Sequence, residues 1–180
     1  MVKTLTLRRH ARARVWIDEG ATSGYAAREV VTRDVAAGPR AARWQRVTIE
    51  RTFPMGGMIG YGLIGVVWSA HAEEGVPIEV PCSDVGGEAW PGALVSEEVR
   101  LGLPREFADA VAEGLADGAR DRLRPGRVRV VEAAHGRVGS SEAVMGWLGL
   151  AVIEAMLLEE DTEAAMVAIL ERPLSDQRSV

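Results

Sequence analysis

The stretch His135-Gly136-Arg137-Val138-Gly139-Ser140-Ser141-Glu142 places an imidazole, a guanidinium, two hydroxyls and a carboxylate within eight residues. Two chemistries are open to that set. In the first, the imidazole is the base for a serine nucleophile and the carboxylate orients it. This requires His135 within hydrogen-bond reach of Ser140 or Ser141, and neither serine sits in a Gly-x-Ser-x-Gly elbow. In the second, Ser140 or Ser141 caps a helix that begins at Glu142. The N–H groups opening that helix, with Arg137 beside them, then favour an anion such as an RNA phosphate. Capping accounts for the serines without catalysis. No residue is therefore assigned a catalytic role, and His135, Arg137, Ser140 and Ser141 are read as an RNA- or anion-binding loop.

A second group is Arg8, Arg9, Arg12 and Arg14, close in sequence to Trp16 and followed by Trp44. Guanidinium groups bind phosphates and aromatic rings stack on bases, so these residues are read as a basic face. The competing reading is a solvated strand face with the tryptophans in the core. The net charge of −5 excludes a globally basic nucleic-acid binder, but the charge is segregated. Residues 1–53 hold eleven Lys/Arg and five Asp/Glu, and residues 138–180 hold two and eight. Such segments either steer a partner or pair with each other on folding.

The remaining candidates are weaker. Cys82 is the only cysteine, which excludes an internal disulfide. With His71 and Asp84 it could form a Cys-His site, but a small buried residue suits it better. The three histidines, His10, His71 and His135, have no metal-ligand spacing. No metal and no cofactor is assigned. Trp90, beside Pro91, is a candidate anchor for a protein partner.

These residues need elements to position them. Period-2 patterns over 5–7, 11–17, 25–34 and 44–53 predict a β-meander, with Arg12, Arg14 and Trp16 on one face and Ala13, Val15 and Ile17 on the other. Residues 54–65 hold five glycines and are read as a turned loop leading into a strand from Leu63, without any phosphate-binding fingerprint. A strand over 76–80 follows, then a helical turn capped by Ser96 over 97–101. From Pro104 the period changes to that of a helix, with Phe107, Ala110, Val111, Gly114, Leu115 and Gly118 on one face. Gly114 and Gly118 are expected to bring it close to a sheet. A strand over 127–133 leads to the His135 loop and a second, almost wholly apolar helix. A last turn or two of helix falls within 162–170.

The order of these features carries a resemblance. Leu103-Pro104-Arg105-Glu106-Phe107, then Ala110-Val111 and Gly114-Leu115, are followed by the strand Val128–Val131, by His135, by Ser140-Ser141-Glu142 and by the apolar helix. The segment 103–157 thereby resembles domain IV of elongation factor G and its relatives. There a Pro-led helix precedes a strand, a loop with His and Asp-Ser-Ser, and a second helix. Gly139 stands where that family usually has Asp. The resemblance implies a sheet of four strands or more with two helices on one face. It also implies that the His135 loop is similar to a tip loop reaching toward RNA on the ribosome. No Gly-x-x-x-x-Gly-Lys-Ser/Thr occurs, so the chain is not a translocase by itself.

The expectation is an α/β (α+β) protein: a mixed sheet, two main helices on one face and a β-α-β crossover. Residues 1–180 are read as one domain, mainly β over 1–95, a β-α-β layer over 96–171 with helices at about 104–122 and 141–158, and a tail over 172–180. The opening residues lack the apolar core of a signal peptide, and no apolar run has membrane-spanning length, so a cytoplasmic, non-membrane protein is expected. The first functional reading is non-enzymatic, with RNA, the ribosome or a protein as partner. The alternative is a small-molecule binder or enzyme that uses the loop of His135, Ser140 and Ser141, with the Gly56–Gly65 segment as a wall. An exposed strand edge would also allow a homo-oligomer. Both functional readings expect the bend to present its imidazole and hydroxyls to solvent.

Overall fold

Alternation sets the early strands. In β2 (Arg12–Ile17) Ala13, Val15 and Ile17 share one face with Val47, Ile49 and Phe53 of β4 (Arg46–Met55), and all six are buried. The computed structural model of the chain describes residues 1–22, 24–70, 74–84, 87–160 and 162–174. In it these strands join β1 (Val2–Thr6), β3 (Glu29–Val35), β5 (Met58–Ser69), β6 (Val76–Cys82), β7 (Val99–Leu101) and β8 (Arg127–Gly136). The result is one eight-stranded mixed sheet of order β1-β2-β4-β5-β8-β6-β3, with β7 also on β8. The β6–β8 pairing is parallel, through Ile78↔Val128 and Glu79↔Arg129. Its crossover contains β7 and α1 (Arg105–Ala119).

The apolar face carries the helices. α1 packs over β3 and β6, α2 (Glu142–Met156) packs over β4 and β5, and α3 (Glu163–Leu170) packs on α2. The expected fold class, a mixed sheet with its helices on one face, is what the chain adopts. Ile49, Ile64, Val128, Leu115, Leu148 and Ile153 are fully buried in this layer. The opposite face has a smaller apolar cluster, Trp16, Tyr61, Leu63, Val99, Leu101 and Ala134, covered by Trp90, Ala93 and Val95 of the β6–β7 connection. No helix among the described residues is long and apolar enough to cross a membrane.

Several expectations need correction. The glycine-rich segment is not a loop: β4 and β5 form a long hairpin, with Met55 opposite Met58. Gly56 and Gly57 close it at φ +52 and +96, the left-handed conformations that a two-residue hairpin turn asks of both central residues. Gly62 lies within β5 because the helix layer leaves no room. A Cβ there would sit 2.5 Å from Leu148 Cδ1 and 2.8 Å from Met145 Sδ. The opening strands are not a meander, because β3 leaves β2 and pairs with β6 at the far edge. Residues 97–101 do not form a helical turn. Val99–Leu101 pairs with Ala134–Gly136, using the edge of β8 beyond β6. Gly114 and Gly118 face Gly146 and Ile153 of α2, not the sheet. His71 and residues 175–180 of the tail lie outside the described residues.

Candidate functional site

β8 extends to Gly136, so His135 is a strand residue and not a loop residue. Its side chain turns to the helix face, where the residue is only 5% exposed. The ring meets Phe107 edge-on at 5.7 Å, and Nδ1 lies 2.9 Å from the Gly102 carbonyl. A carbonyl only accepts, so Nδ1 carries the proton and Nε2 holds the lone pair. Burial pushes the imidazole below its ordinary pKa, partly offset by the Gly102 bond. The ring forms the floor of a groove of about 490 Å³ between β7, the start of α1 and the β8–α2 bend. Arg100, Pro104, Phe107, Arg137 and Ser140 also line it. The Gly56–Gly65 segment contributes no wall to it.

The serines are committed elsewhere. Ser140 Oγ donates to the Tyr61 carbonyl at 2.6 Å and accepts from Gly136 N at 2.8 Å. Ser141 is the N-cap of α2, its Oγ accepting from Val144 N at 3.3 Å. The hydroxyl proton of Ser140 thus goes to a carbonyl, not to an imidazole. Glu97 occupies the bend's own anion position: its carboxylate accepts from Val138 N at 3.0 Å and from Gly139 N at 3.2 Å. The expectation that imidazole and hydroxyls face solvent is therefore corrected, because the ring is buried against Gly102 and Phe107 and the two hydroxyls hold the bend and the start of α2 in shape. What the bend presents is Arg137, whose side chain is 79% exposed and 3.7 Å from Glu98, and the exposed Val138.

The four arginines do not form one face. Arg12 and Arg14 alternate onto the helix-free face of β2. Arg8 and Arg9 belong to a 3-10 turn over Arg8–His10, between β1 and β2. Arg14 is locked: its Nε and Nη2 each lie 2.6 Å from Glu50 Oε2, and its guanidinium sits over Trp16 and Trp90. Arg12 donates to the Leu94 carbonyl. Arg8 pairs with Glu171 at 3.1 Å. Arg9 is exposed, with no hydrogen-bond or ionic partner among the described residues.

Register brings these separated pieces to one end of the sheet. Ala13 lies opposite Arg51, Arg51 opposite Gly62, and Gly62 opposite His135. The β1–β2 turn, the β4–β5 turn and the β8–α2 bend therefore project together. β2 and β8 are separated by β4 and β5, about 15 Å at the usual strand spacing. The exposed Met58 and Ile59 lie between them.

No known protein family matches this chain, and no curated protein does. Two residues that motif reasoning passed over stand out in the geometry: Glu50 and Glu132 are both fully buried on the helix-free face. Glu50 accepts from Arg14, from Tyr61 Oη at 2.9 Å and from Leu94 N at 2.8 Å. Burial raises its carboxyl above the ordinary range, against those three donors. Glu132 accepts from Thr48 Oγ1 at 2.6 Å and Thr22 N at 2.7 Å, and lies 3.0 Å from Arg46 Nη2. A lone acid inside Val130-Val131-Glu132-Ala133-Ala134 was the available signal, since a carboxylate in an apolar strand needs a buried partner.

Proposed function

We propose that the chain is a non-enzymatic RNA-contacting protein of the kind resembled by elongation factor G domain IV. On this reading the sheet end carrying the β8–α2 bend is its contact surface. One observation supports it above the others. Arg137 shares that end with Arg9 and Arg12, which are far from it in sequence, while the hydroxyls of Ser140 and Ser141 there serve as scaffold. Arginines on rigid turns suit phosphate contact, and exposed Ile59 and Val138 suit packing on sugars or bases.

The test is co-sedimentation with ribosomes, and anisotropy on a structured ribosomal RNA fragment, at 50 and 200 mM salt. The triple change Arg9→Ala, Arg12→Ala, Arg137→Ala should weaken binding at least about tenfold. It should also flatten the salt dependence by close to one unit of slope for each phosphate no longer neutralised. Unchanged affinity with unchanged slope would remove this end as the contact surface.

A second reading is favoured by the groove over His135. Its Nε2 lone pair meets no acceptor or donor among the described residues, and Phe107 supplies an apolar wall. A small ligand with a hydrogen-bond donor beside an apolar body would suit it. A fragment that moves the His135 ring resonances saturably supports this reading. Failure of a fragment library to move them removes it.

A further inference from the structure

We propose that Arg51 is the recognition residue of a separate groove built for a small molecule carrying a carboxylate or phosphate on an apolar body. Arg51 leaves β4 on the helix face and is only 8% exposed. Its guanidinium lies 4.2 Å from the Phe53 ring centroid and 4.4 Å from that of Trp147; those two rings meet edge to face at 5.3 Å, so they pack against the cation as one aromatic corner. Its edges are not covered in the same sense. Nε and Nη1 are buried without a hydrogen-bond acceptor among the described residues. Among the described residues Nη2 has no bonded partner either, but it keeps access to the groove that Arg51 lines. Burial lowers the guanidinium to about 10, so it is still a cation at neutral pH. A buried cation packed against aromatic rings with empty edges lacks an oxyanion in its plane, the geometry in which guanidinium binds carboxylate or phosphate.

The surroundings say which kind. The groove holds about 400 Å³, within the range of small-molecule sites. Leu7, Phe53, Met55 and Leu174 give it apolar walls, and Arg8 and Arg9 stand with Arg51 along it. Arg9 and the adjacent His10 sit at φ +56 and +60, a costly conformation for two consecutive non-glycine residues. The carboxylate that Arg51 feels, Glu171, is already held by Arg8, at 2.8 Å from its backbone N and 3.1 Å from its Nε. The apolar walls favour an organic anion over bare phosphate.

The experiment titrates the whole chain with phenyl phosphate, benzoate and inorganic phosphate. It follows the Arg51 side-chain Nε–H resonance and the thermal midpoint. A saturable shift with phenyl phosphate or benzoate, and a midpoint that rises with ligand, support the proposal; the tighter of the two names the head group. Arg51→Met keeps the length and removes the charge, and should weaken binding at least about tenfold, as expected when a charge-assisted hydrogen bond is removed. Equal affinity in Arg51→Met would overturn the proposal. So would a wild-type resonance that stays still up to about 10 mM ligand, a weak-binding limit. Inorganic phosphate binding as tightly as phenyl phosphate would overturn the apolar part of the assignment. If Arg51→Met does not fold, the wild-type resonance decides alone.

Discussion

Glu50 and Arg51 are neighbours in β4 whose side chains leave the sheet on opposite faces. Glu50, fully buried, has a guanidinium, a phenol and a backbone N–H on its two oxygens. Arg51, almost as buried, has two aromatic neighbours and no acceptor among the described residues. The helix-free face repeats the first pattern at Glu132. The helix face repeats the second more mildly at His135, whose ring has one bond and one open nitrogen. A saturated buried charge is scaffold, since nothing further can bind to it without breaking it. A buried polar group with an open edge is where a ligand can add free energy.

The largest expected effect tests the saturated side. Glu50→Leu leaves Arg14, Tyr61 Oη and Leu94 N–H without their acceptor. It should cost about 3 kcal/mol in denaturant unfolding, the low end for breaking a buried pair, because the Arg14 side chain is 24% exposed. A loss below about 1 kcal/mol, the worth of one ordinary hydrogen bond, would collapse the distinction between the faces. Next, the helix face should prove intolerant of volume. Gly62→Ala drives a methyl into Leu148 and Met145 and should cost about 2 kcal/mol; equal unfolding midpoints would mean that α2 can retreat.

A smaller effect is expected from pH. The native His135 ring resists protonation, while the unfolded chain binds that proton near pH 6.5. Stability should therefore fall as pH drops below that value, with the unfolded state taking up the extra proton. His135→Gln should flatten this part of the thermal profile between pH 7.5 and 5.5; equal slopes in both proteins would assign the dependence to other groups. The smallest effect is expected at Arg51 itself. Without ligand, Arg51→Met should unfold within about 1 kcal/mol of the wild type, as apolar replacements of buried charges often do. A loss above about 3 kcal/mol would show that the two cation–π contacts hold the core, and would move Arg51 to the scaffold side.

Local pattern carried much of this architecture. The change from period 2 to helical period at Pro104, a serine cap just before Glu142 and the two faces of β2 are all written in neighbouring residues, and all are found. The misreadings share a different cause. β3 goes to the far edge because its partner is β6, some forty-five residues on, and no local periodicity encodes such a pairing. Gly62 looked like a loop residue because its reason, Leu148, lies on another element. The bend was read as open because Glu97, which fills its N–H groups, comes forty-one residues before Val138. Arg8 to Arg14 looked like one patch because sequence closeness hides a turn at Arg8–His10 and an alternation after it.

The position of β8 has a consequence for how the protein is made. It is the one strand bonded to both β5 and β6, so it alone joins β1-β2-β4-β5 to β3-β6. During synthesis from the amino terminus, those two ribbons emerge first with the seam between them unfilled. Neither can close until Arg127–Gly136 has been made. Assembly is thus deferred until this strand has emerged and then occurs by inserting a middle strand. That is a non-local and slow kind of closure, which leaves two unsatisfied edges waiting in the nascent chain.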